Sequence, residues 1–282
     1  MDIDQARTFL AIIAHGSFLE AASRLHLTQS TVSARIRKLE EELGVRLFVR
    51  KRAGASLTPA GRRFLEHAKR LVLTAQQARD EVGLPGRFRA TLRVGARIAL
   101  WEGFLPQWVG WLRTTARDVA VRSEIGFEED LMRRLIEGTL DIGLMYTPTH
   151  SPGLTVEQLF DERLVLVSSR PDDRGPAEDY VYVEWGPGFY AQHAQSYPEL
   201  ERPAQVVNIG WLGVQLILNN GGSCFLPLRM AEPLIAAGRL HRVPDSPQYA
   251  QSVYVVYARD SDNPVLAMAV QGLREHAARY KR

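Results

Sequence analysis

The chain has 282 residues, and at roughly 100–200 residues per domain this length predicts about two domains. Apolar residues make up 45% of it and charged residues 24%, which is ordinary for a soluble globular protein. No run approaches the roughly 20 apolar residues that a membrane-spanning helix needs. The acidic first residues lack the basic segment of a signal peptide, so we expect a cytoplasmic protein with no membrane partner.

Cysteine and histidine usage excludes two further classes of protein. The single cysteine, Cys224, rules out an internal disulfide framework and a cysteine-based zinc finger. The seven histidines show no spacing typical of metal ligands. We therefore expect no metal site and no cofactor.

The small net charge of +3 is the sum of two unlike parts. Residues 1–90 hold 16 Lys and Arg against 9 Asp and Glu, a net charge of +7. Residues 91–282 hold 19 against 23, a net charge of −4. This distribution favours a polyanion-binding module joined to a mildly acidic second part.

The first third of the chain predicts a helix-turn-helix. Apolar residues at helical spacing predict a helix over residues 3–14, which Gly16 ends. Ser17 and Glu20 match a capping box at the start of a second helix. His26 ends that helix at a tight corner, where a positive φ is needed and histidine is one of the non-glycine residues that adopt it.

Thr28 is predicted to cap a third helix over residues 29–43. Its buried face would consist of Val32, Ile36, Leu39 and Leu43. In a helix-turn-helix, the start of this helix reads base edges in the major groove. The residues expected to contact DNA from it are Thr28, Gln29, Ser30, Thr31, Ser33, Arg35 and Arg37. The acidic residues 40–42 are expected to point away from DNA.

Residues 47–58 predict a short hairpin with apolar ends and a basic tip. Such a wing would place Arg50, Lys51 and Arg52 near phosphates or the minor groove, where they add salt-dependent affinity. A generic basic loop is the alternative for this segment.

A long helix is predicted from Thr58 and Pro59, an N-cap and a first helical residue, to the break at residues 83–86. Apolar residues within it follow the spacing 4, 3, 4, 3, 4, which is typical of a coiled-coil seam. The predicted dimerisation residues are Phe64, Ala68, Leu71, Ala75, Ala78 and Val82. The alternative is a helix packed on its own domain. A protein that binds a two-fold operator needs a partner about one turn of DNA away, which favours self-association.

Residues 1–65 resemble the DNA-binding domain of the LysR-type transcriptional regulators. The resemblance rests on Ser17-Phe18, Leu25-His26-Leu27-Thr28-Gln29-Ser30, Leu43-Gly44-Val45-Arg46-Leu47-Phe48 and Leu57-Thr58-Pro59-Ala60-Gly61. The rest of the chain resembles the family more weakly, along its whole length. The resemblance implies control of transcription, a homodimer or homotetramer, an effector-binding domain and, for an activator, contact with RNA polymerase.

The resemblance also implies roles for single residues. Gln29 and Ser33 match positions that contact bases, and Arg50 and Arg52 match wing positions. Ser30 stands where the family very often has proline, and residue 34 is an alanine where many members have a longer polar side chain. The operator sequence of a relative therefore does not transfer to this chain.

Beyond the break, alternating strands and helices predict a mostly parallel α/β sheet. Strands are predicted over residues 91–95, 119–125, 140–144, 164–168, 181–184, 206–207, 224–226 and 253–257, and helices over 101–112, 128–136, 191 onward, 211–218 and 264–280. The resemblance implies a two-lobed effector domain like a periplasmic binding protein. The predicted fold is thus an all-α winged helix-turn-helix (1–58), a linker and dimerisation helix with a hinge (59–86) and an α/β effector domain (87–282). Its lobes would span about 90–164 with 262–282, and 165–261.

Ligands of such sheets bind beyond the carboxyl ends of the strands. This rule selects Arg97, Ile98, Ala99, Phe127, Tyr146, Glu184, Trp185, Asn208 and Trp211 as effector-binding candidates. Arg97 opens a predicted helix, which suits an anionic effector such as a carboxylate. A surface position or an internal ion pair is the alternative for Arg97, and core packing is the alternative for Trp185 and Trp211.

Enzyme signatures are missing from the sequence: it has no nucleophile elbow, P-loop or dinucleotide fingerprint. The turn over residues 220–224 favours a buried structural Cys224, with a thiol redox sensor as a minor alternative. Residues 101–102 and 184–187 resemble a LysR subgroup that includes an enterobacterial repressor of the flagellar master operon. We predict a sequence-specific DNA-binding regulator with an effector in the interlobe cleft. The alternatives are a regulator without a diffusible effector and a ligand-binding or enzymatic α/β protein.

Overall fold

The structure is a computed structural model that describes residues 1–51, 54–83, 86–176, 178–200 and 203–280, with the backbone alone at residues 50, 51, 54, 73, 76, 77 and 79–81. The chain divides into two compact units, Met1–Pro85 and Gly86–Arg282. The long helix that was predicted as a separate linker belongs to the first unit.

The first unit contains the predicted helix-turn-helix, hairpin and long helix. Its elements are α1 (Ile3–His15), α2 (Phe18–Arg24), α3 (Gln29–Leu43), β1 (Phe48–Lys51), β2 (Gly54–Leu57) and α4 (Pro59–Val82). The complete capping box lies at α1, where Asp2 Oδ1 accepts from the Gln5 N–H at 2.7 Å and Gln5 Oε1 accepts from the Asp2 N–H at 2.8 Å. At α2 only one bond of the predicted box is formed, from the Glu20 N–H to Ser17 Oγ at 3.1 Å.

Three aromatic rings hold α1, the hairpin and α4 together. The Phe9 ring lies 5.1 Å from that of Phe48 and 5.0 Å from that of Phe64. Thr58 caps α4 by accepting from the Gly61 N–H at 3.0 Å. A side chain at Gly61 would overlap the carbonyl oxygen of Leu47, so this close approach of α4 to the hairpin requires glycine.

The second unit alternates strands and helices, as predicted. Its strands are β3 (Ala90–Ala96), β4 (Val119–Ile125), β5 (Ile142–Met145), β6 (Leu154–Ser168), β7 (Val181–Val183), β8 (Gln205–Val207), β9 (Ser223–Pro227), β10 (His241–Arg242) and β11 (Tyr249–Ala258). Its helices are α5 (Ile98–Trp101), α6 (Leu105–Thr115), α7 (Glu128–Ile136), α8 (Pro187–Ser196), α9 (Gly210–Asn220), α10 (Leu228–Ala236) and α11 (Leu266–Ala277).

The main sheet is mixed, so the prediction of a mostly parallel sheet was wrong. Its order is β10-β6-β11-β5-β3-β4, and β9 pairs with β6 outside this path. The parallel pairings in this path are those of β3 with β4 and with β5, whereas β11 is antiparallel to both β5 and β6. Strands β7 and β8 form a separate parallel pair.

Two long strands explain this difference. β6 and β11 pair from Leu164 with Tyr249 to Leu154 with Ala258. The sequence predicted only the last part of β6 and the middle of β11, and it missed α10. Strand β6 also runs through residues 164 and 165, where the boundary between the lobes was predicted.

The helix predicted over residues 101–112 is in fact two helices. Gly103 has a φ of 90° and separates α5 from α6. The predicted apolar face remains: Phe104, Leu105, Trp108 and Leu112 are buried, and Trp101 packs against the same core. The Trp108 Nε1–H donates to the Ala269 carbonyl at 3.1 Å, which ties α6 to α11.

Candidate nucleic-acid interface and ligand cleft

The corner before α3 has the predicted geometry. His26 has a φ of 53°, and Thr28 caps α3 by accepting from the Thr31 N–H at 3.2 Å. The Thr28 hydroxyl also lies 2.8 Å from the hydroxyls of Ser30 and Thr31. Three of the residues predicted to contact DNA thus form a local hydrogen-bonded cluster, beside which the Gln29 side chain is exposed.

The two arginines of α3 differ in their surroundings. Arg35 is directed toward α1, with Nη2 at 3.2 Å from Asp4 Oδ2 and Nη1 at 3.4 Å from Thr8 Oγ1. This ion pair offsets its charge and makes Arg35 a link between α3 and α1. Its contact with DNA stays a prediction. Arg37 is exposed on the same helix and is the stronger candidate for a phosphate contact.

Glu40 has a structural role that was not predicted from the sequence. Its side chain is buried, and Oε1 accepts from the backbone N–H groups of Leu47 at 2.7 Å and Phe48 at 3.2 Å. It therefore fastens the start of the wing to α3. The helical spacing 32, 36, 40 could have revealed this position. Leu43, which was expected to be buried, is 37% exposed instead.

The hairpin pairs Phe48 with Leu57 through to Lys51 with Gly54, so the predicted wing exists as an antiparallel ladder. The side chains of Arg50 and Lys51, and Arg52 as a whole, lie outside the described residues. Their contacts with DNA remain predictions.

The predicted seam of α4 divides into two halves. Phe64 and Ala68 are buried in the core of the first unit, and Leu71 packs against that core. Phe64 and Ala68 are therefore core residues and not seam residues, as the alternative interpretation held. Farther along, Ala75 is half-buried, Ala78 is exposed and Val82 is 89% exposed.

The second unit encloses a cavity of about 580 Å³ beyond the carboxyl ends of several strands. Its lining consists of Arg97, Phe127, Glu128, Thr147, Tyr182, Glu184, Trp185, Gly186, Pro187, Tyr190, His193, Ala194, Leu200, Pro203, Val206 and Asn208. A cavity of this size is within the usual range for small-molecule sites. Of the predicted candidates, Arg97, Phe127, Glu184, Trp185 and Asn208 are in this lining, and Ile98, Ala99, Tyr146 and Trp211 are not.

Arg97 is engaged within the protein. Its Nη1 lies 3.3 Å from Glu128 Oε2, and its Nη2 donates to the Asn208 carbonyl at 3.1 Å. The guanidinium carbon lies 4.5 Å from the centre of the Phe127 ring. The ion pair offsets the positive charge that had favoured an anionic effector, and Arg97 joins the ends of β3 and β8.

Trp185 both lines the cavity and belongs to the core. Its Nε1–H donates to the Phe225 carbonyl at 2.8 Å, and a side chain at Gly210 would overlap its ring. Tyr146 lies behind Trp185, with ring centres 6.0 Å apart, and donates to Glu162 at 2.9 Å. Burial raises the pKa of Tyr146, so the hydroxyl stays protonated and remains a donor.

The remaining candidates lie outside the lining of this cavity. Ala99 is buried, and its carbonyl accepts from Arg229 at 2.9 Å. Ile98 is half-buried in α5 outside the cavity lining. Trp211 is 48% exposed on the first turn of α9.

Tyr182, Tyr190 and His193 form an aromatic wall of the cavity that was not predicted from the sequence. Burial raises the pKa of Tyr182 to about 12 and lowers that of His193. His193 Nε2 lies 2.9 Å from the Tyr180 hydroxyl. Alternation along β7 could have indicated Tyr182. Tyr190 lies in the first half of α8, which was not predicted, whereas His193 lies in the part that was predicted as a helix.

Cys224 is fully buried in β9, and burial raises the pKa of its thiol well above the usual range. A redox-sensing thiol needs exposure and a lowered pKa. The structure therefore contradicts the redox-sensor alternative.

Among the described residues, no cluster of three or more His, Cys, Asp or Glu side chains could hold a metal ion. None of the described helices is both long and apolar enough to span a membrane.

Comparison with known proteins agrees with this architecture of a helix-turn-helix unit and an α/β unit with a ligand-sized cleft. Residues 3–62 match the family described as "Bacterial regulatory helix-turn-helix protein, lysR family", and residues 85–278 match "LysR substrate binding domain". The chain belongs to the LysR family and is a DNA-binding transcriptional regulator.

The HTH-type transcriptional regulator HdfR of Escherichia fergusonii is 33% identical over 269 residues, which cover 94% of this chain and 95% of HdfR. This similarity is consistent with the predicted subgroup. The structure of full-length CbnR with its target DNA has a TM-score of 0.69 at 21% identity and covers 98% of this chain and 100% of CbnR. LysG from Corynebacterium glutamicum with bound effector Arg has a TM-score of 0.56 at 20% identity over 100% of both chains.

Proposed function

We propose that this regulator acts in the cytoplasm as a homodimer or homotetramer on a two-fold operator in double-stranded DNA, and that a small molecule in the cleft modulates it. The observation that carries the DNA part is the exposed start of α3 beside an antiparallel wing. The aromatic cavity beyond the strand ends supports the ligand part. CbnR, whose solved structure includes its target DNA, and LysG, solved with Arg as effector, have the same fold.

On the DNA side, α3 enters the major groove and the wing lies along the backbone. Gln29 contacts a base edge, with Ser30 and Ser33 beside it, and Arg37 contacts phosphate. Arg50, Lys51 and Arg52 add salt-dependent affinity from the wing.

Gel shifts on the DNA that flanks the gene, at two salt concentrations, test this assignment. Gln29→Ala should lower the preference for that DNA over random DNA by about 1–3 kcal/mol, because a bidentate base contact contributes that much. Arg37→Ala should weaken binding to all sequences and reduce the salt dependence. Equal binding of the wild type to flanking and random DNA would reject sequence-specific recognition.

Self-association is assigned to the outer half of α4. Ala75, Ala78 and Val82 continue the heptad spacing beyond the core residues Phe64 and Ala68, and an 89% exposed valine favours burial against a second copy. A partner helix here would place the two helix-turn-helix units on successive turns of DNA. Contact with RNA polymerase is a further part of the proposal if the protein is an activator.

The cleft is proposed to bind a ligand with an apolar or aromatic body and a cationic group. In this proposal the cleft lies between two lobes. One lobe spans about 90–164 together with 262–282, and the other spans about 165–261. Arg97 is neutralised by Glu128, whereas the exposed Glu184 carboxylate has no hydrogen bond or ion pair among the described residues. Tyr182, Trp185 and Tyr190 offer ring faces that attract cations. This composition favours an amine over the anion that Arg97 alone suggested.

A regulator without a diffusible effector is the second candidate. Its support is the Arg97–Asn208 hydrogen bond, which joins two sides of the cavity with no ligand between them. Under this alternative the protein acts on DNA without ligand control, and no metabolite that fits the cavity changes its thermal stability or its gel shifts. Neither candidate requires catalysis.

A further inference from the structure

One cation of the protein itself already lies on a ring in the cleft. The guanidinium carbon of Arg97 is 4.5 Å from the centre of the Phe127 ring. Glu128 offsets its charge, with 3.3 Å between Arg97 Nη1 and Glu128 Oε2. A guanidinium is delocalised and weakly hydrated, so contact with a ring face is favourable for it. The cavity thus accommodates a weakly hydrated cation against its aromatic lining.

A second carboxylate of the lining has no cation beside it. Glu184 is exposed just after β7, and its side chain has no hydrogen bond or ion pair among the described residues. The lining holds one arginine and two glutamates, so one negative charge is left over when Arg97 pairs with Glu128. Burial lowers the pKa of His193, which keeps this histidine neutral near pH 7. The leftover charge therefore favours a cationic ligand.

Two tyrosine rings lie close to this carboxylate. Tyr182 of β7 and Tyr190 of α8 line the same cavity. Burial, and after it the neighbouring Glu184 and Tyr190, raises the pKa of Tyr182 to about 12, so both neighbours lie near its hydroxyl. Tyr190 is 54% exposed, which leaves its ring free to contact a ligand. The faces of aromatic rings carry a negative potential and attract cations.

The available acceptors favour one kind of cation. A primary ammonium is strongly hydrated and carries three N–H donors, so its transfer into a cavity is costly unless these donors find acceptors. Glu128 Oε2 and the Asn208 carbonyl are already occupied by Arg97. A quaternary ammonium has no N–H donor, and ring faces bind it well. The combination of rings and one uncommitted carboxylate therefore suits a quaternary ammonium better than a primary one.

We propose that the cleft recognises a quaternary ammonium group, such as trimethylammonium, on a small ligand. The cation lies between the Tyr190 ring and the Glu184 carboxylate, with Tyr182 beside them. The cavity of about 580 Å³ leaves room for an apolar body next to the cation. This inference rests on the cationic effector proposed above and narrows it to one class of cation.

Proton NMR titrations of the full-length protein with benzyltrimethylammonium and benzylamine test the inference, with benzyl alcohol as the uncharged control. Benzyltrimethylammonium should bind about three- to tenfold more tightly than benzylamine, and benzyl alcohol should bind most weakly. Equal or tighter binding of benzylamine would overturn the quaternary ammonium and leave the proposed amine effector in place. If neither cation binds more tightly than benzyl alcohol, both proposals are rejected.

Variants of Tyr190 then test the ring contact. Tyr190→Leu removes the ring and should weaken benzyltrimethylammonium about threefold or more. Tyr190→Phe retains the ring and should retain the preference for benzyltrimethylammonium over benzylamine. Gln192→Leu, exposed on the same helix outside the lining, is the control and should bind like the wild type. An equal loss in Tyr190→Phe or in Gln192→Leu would overturn the ring contact.

A variant of Glu184 tests the charge contact independently of Tyr190, and it serves equally if Tyr190→Leu fails to fold. Glu184→Gln should weaken both cations about threefold or more and leave benzyl alcohol unchanged. Unchanged binding of both cations to Glu184→Gln would place them elsewhere on the protein and overturn the inference.

Discussion

The two units of this regulator build their functional surfaces in opposite ways. In the first unit, the DNA-contact candidates of α3 come from one short exposed segment, positioned by a local cap and corner. In the second, Arg97 and Asn208 lie 111 residues apart and meet only through the sheet. A surface for a long, regular polymer can be local, whereas a cavity for a small molecule must be enclosed by distant segments.

Buried carboxylates show the same contrast. Glu40 is satisfied by backbone N–H groups seven and eight residues away. Glu162 is satisfied by Arg229, 67 residues away, and by Tyr146. The first arrangement supports one hairpin, and the second joins β6, α10 and the end of β5. Removing Glu162 should therefore be the more damaging change.

Glu162→Gln is expected to destabilise the second unit by about 3–5 kcal/mol, because it leaves the buried Arg229 charge without its partner. All five tryptophans lie in that unit, so urea unfolding followed by tryptophan fluorescence reports on it alone. Glu232→Gln, an exposed neighbour, is the matched control and should unfold like the wild type. A Glu162→Gln midpoint equal to that of the wild type would show that the buried pair contributes little.

Glu40→Ala is expected to cost about 1.5–3 kcal/mol in the first unit, since it removes charge-assisted hydrogen bonds to two buried N–H groups. Its effect should appear in far-ultraviolet circular dichroism and in weaker DNA binding, while the fluorescence transition of the second unit stays in place. Glu41→Ala, at the exposed adjacent position, should change neither. A shifted fluorescence transition would mean that the wing and the effector unit unfold together.

The same difference between local and distant contacts explains which parts of the structure could be predicted from the sequence. The bounds of α3 and α4, the positive φ of His26, and β4 and α7 were predictable because caps, glycines and periodicity act over a few residues. The first part of β6 was missed because its identity as a strand depends on pairing with β11, roughly a hundred residues away. The sequence could suggest that Arg97 lies at a strand end, but not that Glu128 neutralises it.

In the cleft, Glu184→Gln should reduce the response to an amine by about 1 kcal/mol, which is the order of a partly exposed charge contact. Thermal shifts with benzylamine and with benzoate measure this effect in matched aromatic probes. Benzylamine should stabilise the wild type more than it stabilises Glu184→Gln, and benzoate should not distinguish the two. A stronger response of the wild type to benzoate would return the cleft to the anionic ligand that Arg97 first suggested.

The smallest expected effect is the pH dependence of the stability of the second unit, which we assign to His193 in the cleft wall. Burial lowers the pKa of His193 in the folded state, so on acidification the unfolded state takes up the proton first. The stabilisation by neutral His193 is thus complete above the ordinary histidine pKa of about 6.5 and is lost as the pH falls below it.

His193→Gln cannot titrate there and keeps a side chain that can hydrogen-bond to Tyr180. Its fluorescence-monitored urea midpoint should therefore fall less than that of the wild type between about pH 7 and pH 5. First-unit unfolding, followed by circular dichroism, should keep the same pH dependence in both proteins, because His193 belongs to the second unit. If the fluorescence midpoints of the two proteins fall in parallel, His193 is protonated equally in the folded and unfolded states, and the cleft wall carries no pH dependence of its own.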